Sequence, residues 1–207
     1  AVIEEKSSVG AVVGIWFTHA FFKQTLYEEM FAPRRIRLHQ QVGRMLEEVY
    51  AQRPEEHAAE MAEHFAHSSD TAGLEKSLAY SEMAAGRATS VYAYGEAARL
   101  LEQALQVQEV MDPEDKAKRC DLLLVLGDAL MPAGETGRVY DDVAPEAFAL
   151  AEATDDRVRL SRTCLMALEA ANRYGGVSMW GTPEFRRWSG RADEYAEPDT
   201  TDRVWAN

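Results

Sequence analysis

Residues 77–105 read SLAYSEMAAGRATSVYAYGEAARLLEQAL, and their pattern of apolar residues indicates the fold class. The second half of this stretch has apolar residues at i, i+3, i+4, i+7, i+10 and i+11, the period of an amphipathic helix. These are Tyr94, Ala97, Ala98, Leu101, Ala104 and Leu105. The first half repeats the pattern with Tyr80, Met83, Ala84 and Ala88. We therefore expect two helices that meet at their alanines, with a break near Thr89 and Ser90.

A single helical hairpin leaves one apolar side uncovered, so this one predicts neighbours of the same kind. Three hairpins fit the chain, over residues 72–110, 113–154 and 155–197. The stretch resembles the tetratricopeptide repeat in its small residue late in the first helix and its Ala…Leu…Ala…Leu second helix. The resemblance implies an all-α fold of stacked antiparallel helical hairpins, a tetratricopeptide-like α-solenoid.

Asp, Pro and Gly residues set the expected helix boundaries. Asp112 as N-cap, with Pro113 at the first helical position, predicts a helix over residues 113–131. That helix is apolar on two sides, which predicts neighbours on both. The remaining boundaries are a loop over 132–141, a helix over 142–154, Asp155 as the next N-cap, a loop over 172–182 and a last helix from Pro183.

The N-terminal part differs from the rest of the chain. Ala1–Glu5 and Ala11–Phe17 are rich in Val, Ile and Trp, and a turn over 6–10 separates them, which predicts a small β-hairpin. Two helices follow before Pro54 starts a short one. This arrangement resembles part of a winged-helix module. We therefore divide the chain into residues 1–53, the end of a winged-helix-like module, and 54–207, the tetratricopeptide-like repeats.

A more specific resemblance lies in residues 17–39, which read FTHAFFKQTLYEEMFAPRRIRLH. The matching positions are Phe17, His19, Ala20, Leu26, Tyr27, Glu28, Met30, Arg34, Arg35, Leu38 and His39. They resemble the end of the ATPase module in STAND-class signalling ATPases, of the type associated with LuxR regulators and adenylate cyclases. Helical repeats follow in that family. The resemblance implies that an upstream domain binds and hydrolyses ATP and that the repeats sense or bind a partner.

His19 is the one cofactor-contacting residue that this resemblance implies. The family places a histidine there that reaches the nucleotide phosphates in the ADP-bound state, although Ala20 departs from the common His-Asp form. The alternative is that His19 only caps a helix beginning near Thr18. The chain has no GxxxxGK[ST] phosphate loop, so we expect no bound cofactor and no ATP or ADP affinity in this chain by itself.

Charge is distributed unevenly. Residues 1–53 hold seven Lys/Arg and six Asp/Glu, a charge of +1, whereas residues 54–207 hold fifteen and twenty-nine, a charge of −14. An acidic body repels a phosphate backbone, so we expect no nucleic-acid binding by the repeats. No apolar run approaches the roughly 20 residues of a membrane span. We expect a cytoplasmic protein with no membrane contact, reduced buried cysteines at 120 and 164, and a chain cut from a longer one.

No motif indicates catalysis or metal binding. His57, Glu60, His64 and His67 do not form an HExxH motif, and packing of His64 beside Phe65 is the simpler interpretation. We therefore expect no enzyme, no catalytic residue and no metal. The alternatives to a regulatory segment are a free-standing repeat adaptor and, third, an enzyme with an unrecognised site.

Aromatic and arginine residues near the hairpin ends are candidates for protein contacts. The selected residues are Tyr94, Arg99, Arg138 and Tyr140, for which packing between repeats is the alternative. We expect a protein or peptide partner on the concave face of the stack. The last hairpin lacks a following repeat, so we also expect self-association, or Trp205 packed against that hairpin.

Overall fold

The computed structural model describes residues 3–7, 13–17 and 20–195. Strands β1 (Ile3–Ser7) and β2 (Val13–Phe17) pair antiparallel, with Ile3 opposite Phe17 and Ser7 opposite Val13. From Ala20 to Tyr195 the chain is helical apart from short turns, which confirms the predicted all-α class. None of the helices in this described part is long and apolar enough to cross a bilayer.

The α-helices follow one another with short connections. They are α1 (Ala20–Glu29), α2 (Ala32–Val49), α3 (Ala58–Ala66), α4 (Thr71–Ser90), α5 (Tyr94–Met111), α6 (Lys116–Ala133), α7 (Thr136–Arg138), α8 (Ala144–Ala153), α9 (Arg157–Gly175) and α10 (Pro183–Tyr195). Residues Pro54–Glu56 and Gly176–Ser178 form 3₁₀ turns, and Val139–Val143 forms a π-helical turn.

Aspartate side chains begin three of the helices. Asp70, Asp115 and Asp156 accept hydrogen bonds from backbone N–H groups three residues later, at 2.8, 2.9 and 3.0 Å. Each bond satisfies a donor that the first helical turn leaves without a partner.

Two of the predicted caps, Asp112 and Asp155, were therefore wrong. Asp112 ends α5, and its carboxylate accepts a bond from the Glu114 N–H within the turn. Asp155 lies in the turn between α8 and α9 and has φ +50°.

The break between α4 and α5 falls at residues 91–93, later than predicted. The Thr89 hydroxyl donates to the Ala85 carbonyl at 2.9 Å, and the Ser90 hydroxyl donates to Arg87 at 2.7 Å. These bonds keep both residues in the last turn of α4. The chain then reverses at Tyr92, which has φ +61°, a value more common for glycine.

The predicted loop over residues 132–141 was also wrong. Helix α6 continues through Pro132 to Ala133, and only Gly134, with φ +87°, and Glu135 precede α7. The π turn then joins α7 directly to α8. Pro145 has no N–H to give to the carbonyl of Asp141, so the regular α-helical ladder loses a hydrogen bond at this point. The loop predicted over 172–182 is likewise shorter, because α9 extends to Gly175.

Helix α6 lies at the centre of the apolar core. It packs against α5 on one side and against α8 and α9 on the other, as its two apolar sides predicted. Cys120, Leu124 and Leu130 are fully or almost fully buried. Gly127 allows a close approach to α9, since a Cβ there would lie 2.2 Å from the Met166 sulfur.

From α2 onward, each of the longer helices packs against the next in chain order, so the hairpin pairs α4–α5, α6–α8 and α9–α10 also contact one another. Ion pairs also join the first helix of one pair to the first helix of the next. Lys118 on α6 contacts Glu82 on α4 at 2.7 Å, and Arg162 on α9 contacts Asp128 on α6 at 3.0 Å. Arg159 on α9 holds both carboxylate oxygens of Asp121, at 2.8 and 2.7 Å. The ion pairs on the surface thus join hairpins that are also neighbours in the apolar core.

Candidate protein-binding groove

A shallow groove of about 260 Å³ lies between α5, α6 and the α7–α8 segment. We call it the α5–α6–α8 groove. Its floor is apolar and consists of Leu105, Leu123, Leu126 and Val143. Its rim is charged and consists of Glu102, Arg119, Arg138, Asp142 and Glu146. An apolar floor with charged groups around it suits a peptide segment that carries both kinds of side chain.

Arg138 is the residue predicted from sequence that lies in this groove. Its Nη2 contacts Oε1 of Glu102 on α5 at 2.6 Å, and its Nη1 contacts Oε2 of Glu135 at 3.4 Å. The bond with Glu102 raises the pKa of Arg138 further above its ordinary value. The side chains of Arg138 and Glu102 remain 39% and 37% exposed, so the pair is accessible from solvent.

Arg119 forms a second bridge across the groove. Its Nε donates to Glu146 on α8 at 2.7 Å and its Nη1 to Glu109 on α5 at 2.6 Å. Sequence reasoning missed Arg119, Glu102 and Glu146, because partners so far apart in the chain have no local spacing pattern. The one signal in the sequence was Arg119 itself, a charged residue on α6, which is otherwise apolar on two sides.

Arg99 lies on the same side of α5 as the groove rim. Its Nε and Nη2 donate to Glu96 at 2.9 and 2.6 Å, and the carboxylate of Glu102 also contributes to raising its pKa. Arg99 does not itself line the groove, and the carboxylate that it bonds is that of Glu96. Of the four predicted contact residues, the structure therefore places Arg138 at the groove.

The two predicted tyrosines lie elsewhere. Tyr94 begins α5 and is half-buried, with its ring edge-on to Tyr92 at 6.1 Å between centroids. Tyr140 lies in the π turn and is only 7% exposed. Burial raises the pKa of Tyr140. Tyr140 therefore packs inside the fold, and its ring offers little area to a partner.

A chain of polar side chains connects α1, α2 and α3. The Tyr27 hydroxyl lies 2.9 Å from Nε2 of His39, and Nδ1 of His39 lies 2.8 Å from Nδ1 of His64. The ring of His67 lies 4.0 Å from that of His39. Burial, followed by the charges that His67 and His64 would carry, lowers the pKa of His39 to about 4. His39 is therefore neutral at pH 7.

The other histidines and cysteines singled out from the sequence have no metal-binding arrangement among the described residues. His19 lies outside the described residues. Among the residues that are described, no three or more His, Cys, Asp or Glu side chains are grouped to hold a metal ion. His57 stacks on Tyr50 instead, with 3.4 Å between ring centroids. Cys120 and Cys164 are free and buried, as predicted, and burial raises their pKa values to about 11 and 12.

Comparison with known proteins assigns the chain to no family. No protein-family model, no curated protein and no solved structure matches the chain. The groove and its charges are therefore the basis for the functional conclusion.

Proposed function

We propose that the chain is a non-catalytic protein-interaction segment in which tetratricopeptide-like hairpins bind a short segment of a partner protein in the α5–α6–α8 groove. The observation that carries the proposal is an apolar floor between two arginines, each already bonded to carboxylates of this chain. These carboxylates occupy positions that carboxylates of a partner can take. The described lining offers guanidinium, carboxylate and aliphatic groups, which suit recognition.

A carboxylate of the partner can replace a carboxylate of this chain at Arg138, and the free-energy cost of breaking the internal ion pair is small. Exposed ion pairs contribute only about 0–1 kcal/mol to stability, so replacing Glu102 at Arg138 loses little. A guanidinium has five N–H donors, and Arg138 can bond a partner's Asp or Glu in a bidentate way. An aliphatic side chain of the same partner then packs on Leu105, the partly exposed residue of the floor. Arginine and buried apolar contacts are typical centres of binding energy.

We further propose that this segment belongs to a larger STAND-class signalling ATPase. Residues 17–39 support this through their sequence resemblance, and three of the matching residues contact one another. Tyr27 bonds His39, and Arg35 lies over the Tyr27 ring at 5.2 Å while donating to the Tyr27 carbonyl at 3.2 Å. In this proposal, ATP hydrolysis belongs to an upstream domain, and a partner bound to the repeats regulates it.

A peptide selection tests the groove. Random twelve-residue peptides displayed on phage are selected on the purified chain, and each enriched peptide is measured against the chain and against Arg138→Glu. We expect enriched peptides to combine Asp or Glu with Leu, Ile, Val or Phe, and to bind Arg138→Glu at least tenfold more weakly.

The matched control is Arg173→Glu, a charge reversal on α9 at an exposed arginine paired with Glu169. This variant should retain full affinity for the same peptides. If no peptide is enriched, or if both charge reversals weaken binding equally, the groove is not the binding surface.

A further inference from the structure

Helix α2 has an apolar stripe that no described residue covers. Its members Leu38, Val42, Met45 and Val49 are 39%, 41%, 56% and 65% exposed. A shallow groove of about 300 Å³ runs along the stripe and is lined by Gln41, Val42, Met45, Leu46, Val49 and Tyr50. Contiguous exposed apolar residues of this kind mark interaction surfaces.

The opposite face of α2 holds the helix against the body and fixes the direction of the stripe. Glu47 accepts bonds from Lys76 at 2.6 Å and from the Tyr80 hydroxyl at 2.8 Å, both on α4. Gly43 faces Phe65 so closely that a Cβ would lie 2.9 Å from the ring. Because these contacts attach one face to α3 and α4, the stripe points away from them.

The spacing of the stripe is that of a coiled-coil seam. Leu38, Val42, Met45 and Val49 are separated by four, three and four residues, the alternation of heptad positions d, a, d and a. Such a seam packs against another helix that has the same repeat. A second copy of α2 meets that requirement.

Charge decides the direction of the pairing. Arg34 and Arg37 lie in the N-terminal half of α2, and Glu48 lies near its C-terminal end. Arg34 and Glu48 are each seven residues from Gln41, and all three are exposed. Two antiparallel copies with a twofold axis near Gln41 therefore bring Arg34 of each copy level with Glu48 of the other. A parallel pair in register would leave Arg34 of one copy 14 residues along the axis from Glu48 of the other, and the two could not meet.

We propose that the α2 stripe is a self-association surface, on which a second copy of this chain packs antiparallel through its own α2. The helix has 18 residues and is therefore about 27 Å long. One face of such a helix, about 27 Å by about 10 Å, is smaller than the roughly 800 Å² per partner of a standard interface. The dimer is thus a reversible one, and the surface is separate from the α5–α6–α8 groove.

The test is the molar mass of the whole chain over a hundredfold range of concentration, measured by analytical ultracentrifugation. We expect a shift from monomer towards dimer as the concentration rises into the range of tens to hundreds of micromolar. Val42→Glu should keep the chain monomeric throughout, because it places a charge in the seam next to the twofold axis, where both copies contribute apolar side chains. The control Val125→Glu changes a valine of similar exposure on α6, 44% against 41%, and should dimerise as the unmodified chain does.

Two charge substitutions test the antiparallel arrangement. Arg34→Glu alone and Glu48→Arg alone should each weaken the dimer several-fold, because like charges then face each other. The double variant Arg34→Glu/Glu48→Arg should restore the dimer, since each pair is re-formed with its signs exchanged. A chain that stays monomeric at all concentrations overturns the proposal and leaves the stripe to a different partner. A dimer that none of these substitutions weakens overturns it as well.

Discussion

Helices α2 and α6 each have 18 residues, but they are embedded very differently. One residue of α2 is buried, Gly43, whereas nine residues of α6 are buried. Helix α6 packs against α5, α8 and α9, while α2 has α3 as its principal neighbour. The difference shows that position in the stack, rather than helix length, determines how much core a helix contributes.

The two helices are also held by different kinds of contact. Helix α6 is held mainly by aliphatic packing around Leu124 and Leu130. Helix α2 is held by polar bonds, among them His39 to His64 at 2.8 Å and Gln40 to Asp70 at 2.6 Å. Apolar packing is insensitive to pH, whereas a histidine bond is not. The two regions should therefore respond differently to truncation and to acid.

The largest difference is expected for truncation of leucine. Leu130→Ala on α6 removes a completely buried side chain and should lower the free energy of unfolding by about 2–5 kcal/mol. Leu38→Ala on α2 removes a partly exposed one and should cost less than about 1 kcal/mol. Urea unfolding followed by circular dichroism, at a concentration where the chain is monomeric, measures both. Equal losses for the two variants would contradict the comparison.

An intermediate effect is expected for acid at the α2–α3 contact. The pKa of His39, about 4, lies below its ordinary value of 6.5, so the unfolded chain binds more protons between these two pH values. The free energy of unfolding should therefore fall as pH is lowered from about 6.5 to about 4. The groups facing His39 are Tyr27, Arg35, Glu63, His64 and His67.

His39→Gln isolates this contribution. Glutamine keeps a hydrogen-bonding side chain but does not titrate, so the stability of the variant should depend less on pH over the same range. Urea unfolding at several pH values between 4 and 7.5 compares the variant with the unmodified chain. Identical pH dependence in both would show that His39 does not couple protonation to the packing of α2.

The smallest effect is expected for the groove arginine. Arg138→Gln should lower the free energy of unfolding by less than about 1 kcal/mol, because the pair with Glu102 is solvent-exposed. Arg159→Gln should cost more, since Arg159 holds Asp121 in a bidentate way and also bonds Asp156. Thermal unfolding of both variants makes the comparison. A loss at Arg138 as large as that at Arg159 would mean that the groove rim is structural.

Helical period predicted most of the buried residues of α4 and α5, although Met83, which belongs to the same pattern, is 39% exposed. Ala97, Ala98, Leu101 and Ala104 of α5 are all buried, as their spacing indicated. Caps were predicted less well, because two aspartates are close together at each boundary. Asp112 and Asp115, and again Asp155 and Asp156, can each cap a helix, and the turn before the helix decides between them.

The groove could be predicted only in part. Arg138 was identified as an arginine near a hairpin end, but its partner Glu102 is on another helix. The pair of Arg119 with Glu146 depends on how α6 and α8 lie against each other. The path from α6 to α8 was itself misread, because Pro132 and Gly134 suggested a loop where helix continues. A π turn has no sequence signature comparable to a cap.

Amide hydrogen exchange at two protein concentrations tests the comparison of α2 with α6 most directly. We predict that amides in the middle of α6 exchange slowly and equally at both concentrations, because their protection comes from the core. Amides of α2 should exchange faster than those of α6 in dilute solution and become more protected in concentrated solution, as a second copy covers the stripe. If α2 and α6 are equally protected, or if the exchange rates of α2 are the same at the two concentrations, the stripe of α2 does not bind a second copy.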